Sequence, residues 1–266
     1  MNLKKVILAL VFFFSQINNI DATIKHIFID INALIATNTS AAAKVVGIIN
    51  SMKYAAKVGH IPSKSDLFKA LSNVPSESTE ITWNEDLVAP TILSDWLLGL
   101  RSNSSIHYAI THYLNHSRLS DIEKTIFKNI TSMMMTPTMF IETQLVLKDV
   151  AKIISLLKKA GYKVYIIGNW DAESQPYLFK LLHGNSLPDS RSCYFSNQAK
   201  LLKPSTKYFD CLLEHFNITN KQECLIIDVE KHHVQGARNA GLNAILFHGH
   251  NPVQLKSELN RTGIRL

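Results

Sequence analysis

The chain has 266 residues, 46% of them hydrophobic, enough for one sizeable core or a core with a smaller companion domain. Its formal charge is +7, but Lys and Arg are scattered without a run of five, which argues against nucleic acid and leaves an anionic surface, a small anionic (phosphorylated) molecule or another protein as partner. The three cysteines, Cys193, Cys211 and Cys224, show no CxxC or zinc-knuckle spacing, which excludes a disulfide framework. Cys224 opens an apolar run and reads as a buried, inert thiol.

In chain order, Lys4 and Lys5 precede the apolar stretch Val6 to Phe14, and Ala22 offers a small residue for cleavage. This is the pattern of an export signal over residues 1–22, since so short an apolar stretch cannot cross a bilayer of about 30 Å. Five N-x-S/T sequons (Asn38, Asn103, Asn115, Asn129, Asn217) bear only on a eukaryotic secretory route. Ile24, Ile27, Phe28 and Ile29 form a β-rich apolar run that ends at Asp30. In an open parallel sheet the carboxyl ends of strands form the ligand crevice, so Asp30 is placed there as a nucleophile, metal ligand or general base. The bland alternative is a turn-capping acid.

Ser40 to Lys57 carries Val45, Val46, Ile48, Ile49 and Met52 at helical spacing and reads as one helix, broken by Gly59 and Pro62. Ser63 or Ser65 begins a short helix to Leu71. A polar loop from Asn73 to Glu80 follows. Further helices are predicted over Ile92–Leu98, His107–Leu114 and Asp121–Met134. No strand-like alternation occurs between Ala36 and Met135, so residues 38–137 are predicted to form a helical domain packed by Trp83, Trp96 and Met133 to Met135.

From Thr143 helices and strands alternate. Leu145–Leu157 reads as a helix terminated by Lys158, Lys159 and Gly161. Strands are predicted at Val164–Ile167, Ser192–Ser196, Cys224–Asp228 and Ala244–Phe247, and helices at Ser174–Leu182, Thr206–Phe216 and His233–Ala240. This implies an α/β core with a parallel sheet, built from residues 23–37 and 138–266. The pairs His232–His233 and His248/His250 read as surface histidines, because neighbouring side chains diverge and no carboxylate or cysteine stands at ligand spacing.

The strand ends bring together Asp30, Asn169 and Asp228, with Lys203 in a loop. An aspartate attacks phosphorus only when the incoming negative charge is neutralised, and a lysine with an oxygen-bound divalent cation is the usual means. Lys203 beside Asp228 also reads as a buried ion pair.

The order and spacing of Asp30, of Lys163 to Asp171, of Leu201 to Phe209 and of Cys224 to Gly241 resemble the haloacid dehalogenase-like superfamily over most of residues 23–266. The resemblance implies a Rossmann-like parallel-sheet core with an inserted α-helical cap that closes over the crevice. It implies a magnesium-dependent phosphatase in which Asp30 is the nucleophile, Lys203 the charge clamp, Gly168 and Asn169 the phosphate-binding positions, and Asp30 with Asp228 the metal ligands.

Three positions depart from the family pattern. Asn32 stands where the second aspartate gives its proton, and an amide has none to give. Gly168 replaces the Ser or Thr that holds the phosphate. Val229 replaces a metal-binding acid, and valine cannot ligate a hard cation; Glu230 is the neighbouring acid. Members with dehalogenase chemistry need neither magnesium nor the second aspartate but use a cap arginine, for which Arg101 and Arg118 are the candidates. The expectation is an exported hydrolase-like protein of weak or lost phosphatase activity. The alternative is a pseudoenzyme that binds a ligand or a protein.

Overall fold

The computed structural model describes residues 23–61, 64–72, 74, 76, 91–185, 187–248 and 251–266. The predicted export signal, Ser63, Trp83, most of the 73–80 loop and His250 lie outside them. The first strand, β1 (His26–Asp30), leads into a single helical turn, α1 (Ile31–Leu34), capped by the Asp30 side chain. The chain then leaves through a short strand, β2 (Ile35–Thr37), and returns through β3 (Gln144–Val146). These two pair antiparallel, Ile35 opposite Val146, so both ends of the insertion form one two-stranded stalk.

Between them lie seven described helices: α2 (Thr39–Val46), α3 (Ile48–Val58), α4 (Lys64–Leu71), α5 (Thr91–Leu97), α6 (Asn103–His116), α7 (Asp121–Met135) and α8 (Pro137–Glu142). The predicted single helix over Ser40–Lys57 is two, because Gly47 adopts φ +96 and ends α2. Local chemistry fixes the other starts. Asn38 caps α2 by accepting the Ala41 N–H at 3.2 Å, and Ser102 caps α6 by accepting the Ser105 N–H at 3.2 Å. Ser120 and Glu123 form a capping box on α7. The helices share a core of their own, in which Tyr54, Leu71, Ile92, Trp96, Ile106, Ile110, Phe127, Met133 and Met135 are buried.

The remainder alternates: α9 (Lys148–Lys159), β4 (Lys163–Gly168), α10 (Gln175–Gly184), β5 (Cys193–Phe195), α11 (Ser196–Ala199), α12 (Thr206–His215), β6 (Cys224–Asp228), α13 (Lys231–Asn239), β7 (Asn243–Leu246) and α14 (Pro252–Arg261). The predicted helix from Leu145 begins at Lys148 instead, because Leu145 and Val146 belong to the stalk. The five core strands are parallel in the order β5-β4-β1-β6-β7. β1 is central and buried on both faces, as a parallel sheet covered by helices requires. Ile27 and Ile29 join one core with Ile153, Ile154 and Ile166, whereas Phe28 joins the other with Tyr208, Phe209 and Ile226. This period-two split follows from strand geometry. The result is a Rossmann-like α/β core with an inserted helical unit. Among the described residues no helix is long and apolar enough to cross a membrane.

Candidate functional site

Asp30 ends β1 and Asp228 ends the neighbouring strand β6, so the sheet places both carboxylates at one edge. Lys203 arrives from the loop before α12. Its ammonium donates to Oδ2 of Asp30 and to Oδ2 of Asp228, and all three side chains have no solvent exposure. The three residues that the sequence brought to one crevice therefore form one bridged cluster.

The other oxygens are also engaged. Asp30 Oδ1 accepts the Asn32 N–H at 2.9 Å, the cap that starts α1. Asp228 Oδ1 accepts the Glu230 N–H at 2.9 Å and lies 3.2 Å from Nδ1 of His233, which donates as the Nδ1–H tautomer. Asn169 fixes the lysine from behind: its Oδ1 accepts the Lys203 N–H at 2.9 Å and its Nδ2 donates to the Lys203 carbonyl at 3.1 Å. Both hydrogen bonds hold the backbone, so Asn169 positions the ammonium.

The charges follow from this packing. Burial raises the Asp30 carboxyl above its usual range, and the neighbouring charge of Asp228 adds to that effect, while Lys203 opposes it. Burial would raise Asp228 too, but the Lys203 charge and the His233 hydrogen bond outweigh it and hold Asp228 well below the usual carboxylate range. Burial acts to lower the lysine; the two carboxylates overcome it, and its pKa rises. His233 is kept neutral by burial and by the lysine charge. It was predicted to be a surface histidine and is 7% exposed. Lying five residues after Asp228 on the first turns of α13, it faces inward and is the site residue that sequence reasoning missed. Cys193 and Cys224 are buried thiols pushed up to about 12 by desolvation.

The three departures have visible consequences. Asn32 is exposed, whereas Asp30 is sealed. A Cβ at Gly168 would stand 2.6 Å from Cγ2 of Ile31 and 3.3 Å from Oδ2 of Asp30, so the room a Ser or Thr would need is already taken by Ile31. Val229 leaves Asp228 without an acid at the next position of the chain. For magnesium the donor set does not fit: Val229 brings no oxygen beside Asp228, and each oxygen of the two carboxylates that remain already accepts an N–H, from the Lys203 ammonium at both Oδ2 atoms and from backbone or imidazole groups at both Oδ1 atoms. Among the described residues no group of three or more His, Cys, Asp and Glu is arranged to hold a metal.

The helical insertion is latched over this edge. Ser196 Oγ donates to the Leu97 carbonyl at 2.6 Å and Lys200 Nζ to the Leu98 carbonyl at 2.8 Å, so the end of α5 rests on α11. Glu173 accepts the Asn103 N–H at 2.8 Å. Trp170, next to Asn169, stacks on Phe140 at 5.2 Å, and Phe140 meets the edge of Trp96 at 5.8 Å. A cavity of about 260 Å³ opens at this seam, lined by Asn103, His107, Ser132, Thr136 and Glu173, away from the bridged carboxylates. Arg101, in the turn before α6, donates to Ser105 Oγ on that helix at 2.9 Å.

No family model matches the sequence, and no curated protein matches it. Solved structures do. A HAD family enzyme from Bacteroides thetaiotaomicron, 15% identical, matches over 88% of this chain and 98% of its own with a TM-score of 0.55. That enzyme has also been crystallised in complex with magnesium and inorganic phosphate. A predicted HAD-like family hydrolase from Porphyromonas gingivalis is 18% identical over 90% of this chain and 99% of its own, with a TM-score of 0.52. A dehalogenase is 16% identical over 90% and 98%, with a TM-score of 0.53. At these identities the likeness shows the fold.

Proposed function

Starting from this haloacid dehalogenase-like fold, we propose that the chain has given up metal-assisted phosphoryl transfer and keeps the former reaction centre as a buried ion cluster. The protein then acts by binding a small anionic ligand or another protein, and residues 1–22 export it. The observation that carries this reading is the Lys203 ammonium, which bridges two carboxylates in a site with no solvent exposure. A nucleophilic aspartate needs an approachable oxygen, a proton donor for the leaving group and a neutralised phosphate. Here Asp30 is sealed, Asn32 has no acidic proton, and Val229 stands in the metal-ligand position. Loss of the general acid alone removes about 10² to 10⁴ in rate. Loss of the metal removes the Lewis acid as well.

The test is hydrolysis of p-nitrophenyl phosphate by the wild type and by Asp30→Asn, each with and without magnesium. All four rates are expected to equal the uncatalysed background. A wild-type rate about tenfold or more above Asp30→Asn would establish Asp30 as a working nucleophile and remove the proposal.

A further inference from the structure

Helix α3 breaks the usual pattern of a surface helix, whose apolar stripe faces the core. Ile48, Ile49 and Met52 are 54%, 70% and 67% exposed; Val58, the last residue of the helix on a different side of it, is 37% exposed, and Ile61 beyond it is 72% exposed. Five of the twelve exposed large apolar side chains among the described residues thus lie within residues 48–61. At about 100° per residue, Ile48, Met52, Ala56 and Ile49 fall on one arc of roughly 100°. Tyr54, 2% exposed, points the opposite way into the helical core. Lys53 borders the arc on one side, and Lys57, a further step round the helix, lies 3.4 Å from Glu123; both lysines are exposed.

We propose that this face of α3 docks on an anionic lipid surface. The isoleucines and Met52 enter the boundary between headgroups and acyl chains, and the lysines meet the headgroup charge. Charge selects this occupant. A second copy packed two-fold on the same face would set Lys53 and Lys57 against their own counterparts, whereas an anionic surface complements them and the chain's +7 balance.

The experiment is flotation of the full chain with phosphatidylcholine vesicles, with and without phosphatidylglycerol, at low and high salt. Residues 6–14 are themselves apolar, so each reading is the difference between wild type and variant. Ile49→Glu with Met52→Glu is expected to lower the bound fraction on anionic vesicles about tenfold or more. Lys53→Glu with Lys57→Glu is expected to lower it several-fold, mainly at low salt. Val253→Glu, at an equally exposed apolar position on α14, leaves it unchanged. Circular dichroism confirms that the exposed substitutions leave the fold intact. Three results overturn the proposal: equal flotation of wild type and Ile49→Glu/Met52→Glu, equal affinity for neutral and anionic vesicles, or a dimer in solution that Ile49→Glu/Met52→Glu dissociates.

Discussion

Lys203→Met is expected to lower the free energy of unfolding by about 3–5 kcal/mol at neutral pH, the cost of breaking a buried pair by removing one partner. Methionine fills similar volume, so the loss is electrostatic: Asp30 and Asp228 remain at zero exposure with no cation between them. The sign with pH is fixed. Without the ammonium both carboxyls are raised in the folded state. A raised group contributes stability that is present below its unfolded pKa and lost as pH rises through the folded value. The deficit of the variant is therefore largest near neutrality and shrinks as pH falls toward the carboxylate range. Asp30→Asn/Lys203→Met/Asp228→Asn, which removes all three charges, is expected to recover much of the loss, because a neutral packed cluster escapes the desolvation penalty. Urea unfolding at two pH values measures both effects. A deficit below about 1 kcal/mol, the range of an exposed pair, would place Lys203 in solvent.

The second large effect is expected at Gly236. In an ordinary helix interior Gly→Ala stabilises by about 0.5–1 kcal/mol. Here a Cβ would lie 2.2 Å from the Pro204 carbonyl oxygen and 2.8 Å from the Pro204 Cβ. The nearest atom is backbone, so no rotamer change relieves it, and overpacking of this kind costs about 1–3 kcal/mol or more. The clash outweighs propensity, and Gly236→Ala is expected to be destabilising by about 2 kcal/mol in urea unfolding. Because Pro204 follows Lys203, moving that loop also draws the ammonium away from its carboxylates. A stabilised Gly236→Ala would show that α13 does not pack tightly on the 203–205 loop.

Much of the core was legible because its signals are local. Cys224–Asp228 was predicted as a strand with the limits observed, and the apolar runs around Phe28 and Ile166 mark buried parallel strands. The meeting of Asp30 and Asp228 is legible because strand ends share an edge, whereas Lys203, in a loop, is brought to them by the resemblance to the family. What escaped was non-local. Ile31 occupies the space beside Gly168, which spacing along the chain cannot reveal. His233 points inward because α13 turns it under Asp228. The resemblance makes Asn169 a phosphate-binding position, but its side chain is committed to the backbone of Lys203. The latch of Ser196 and Lys200 on the end of α5 joins residues about a hundred positions apart. Gly47 divides α2 from α3 through a positive φ that helical spacing does not encode, and Ile48, Ile49 and Met52 were counted on a helical face without a sign of which way it turns.

A single cation, the Lys203 ammonium, sits between the carboxylates of Asp30 and Asp228. Thermal unfolding of the wild type across a millimolar magnesium titration is the most direct measurement, since a metal that binds only the folded state at a hundred times its dissociation constant adds about 2.7 kcal/mol. With the Lys203 ammonium in that position, the melting temperature is predicted to stay constant throughout. A saturable rise that Asp228→Asn abolishes would mean that a metal holds these carboxylates and would contradict the account.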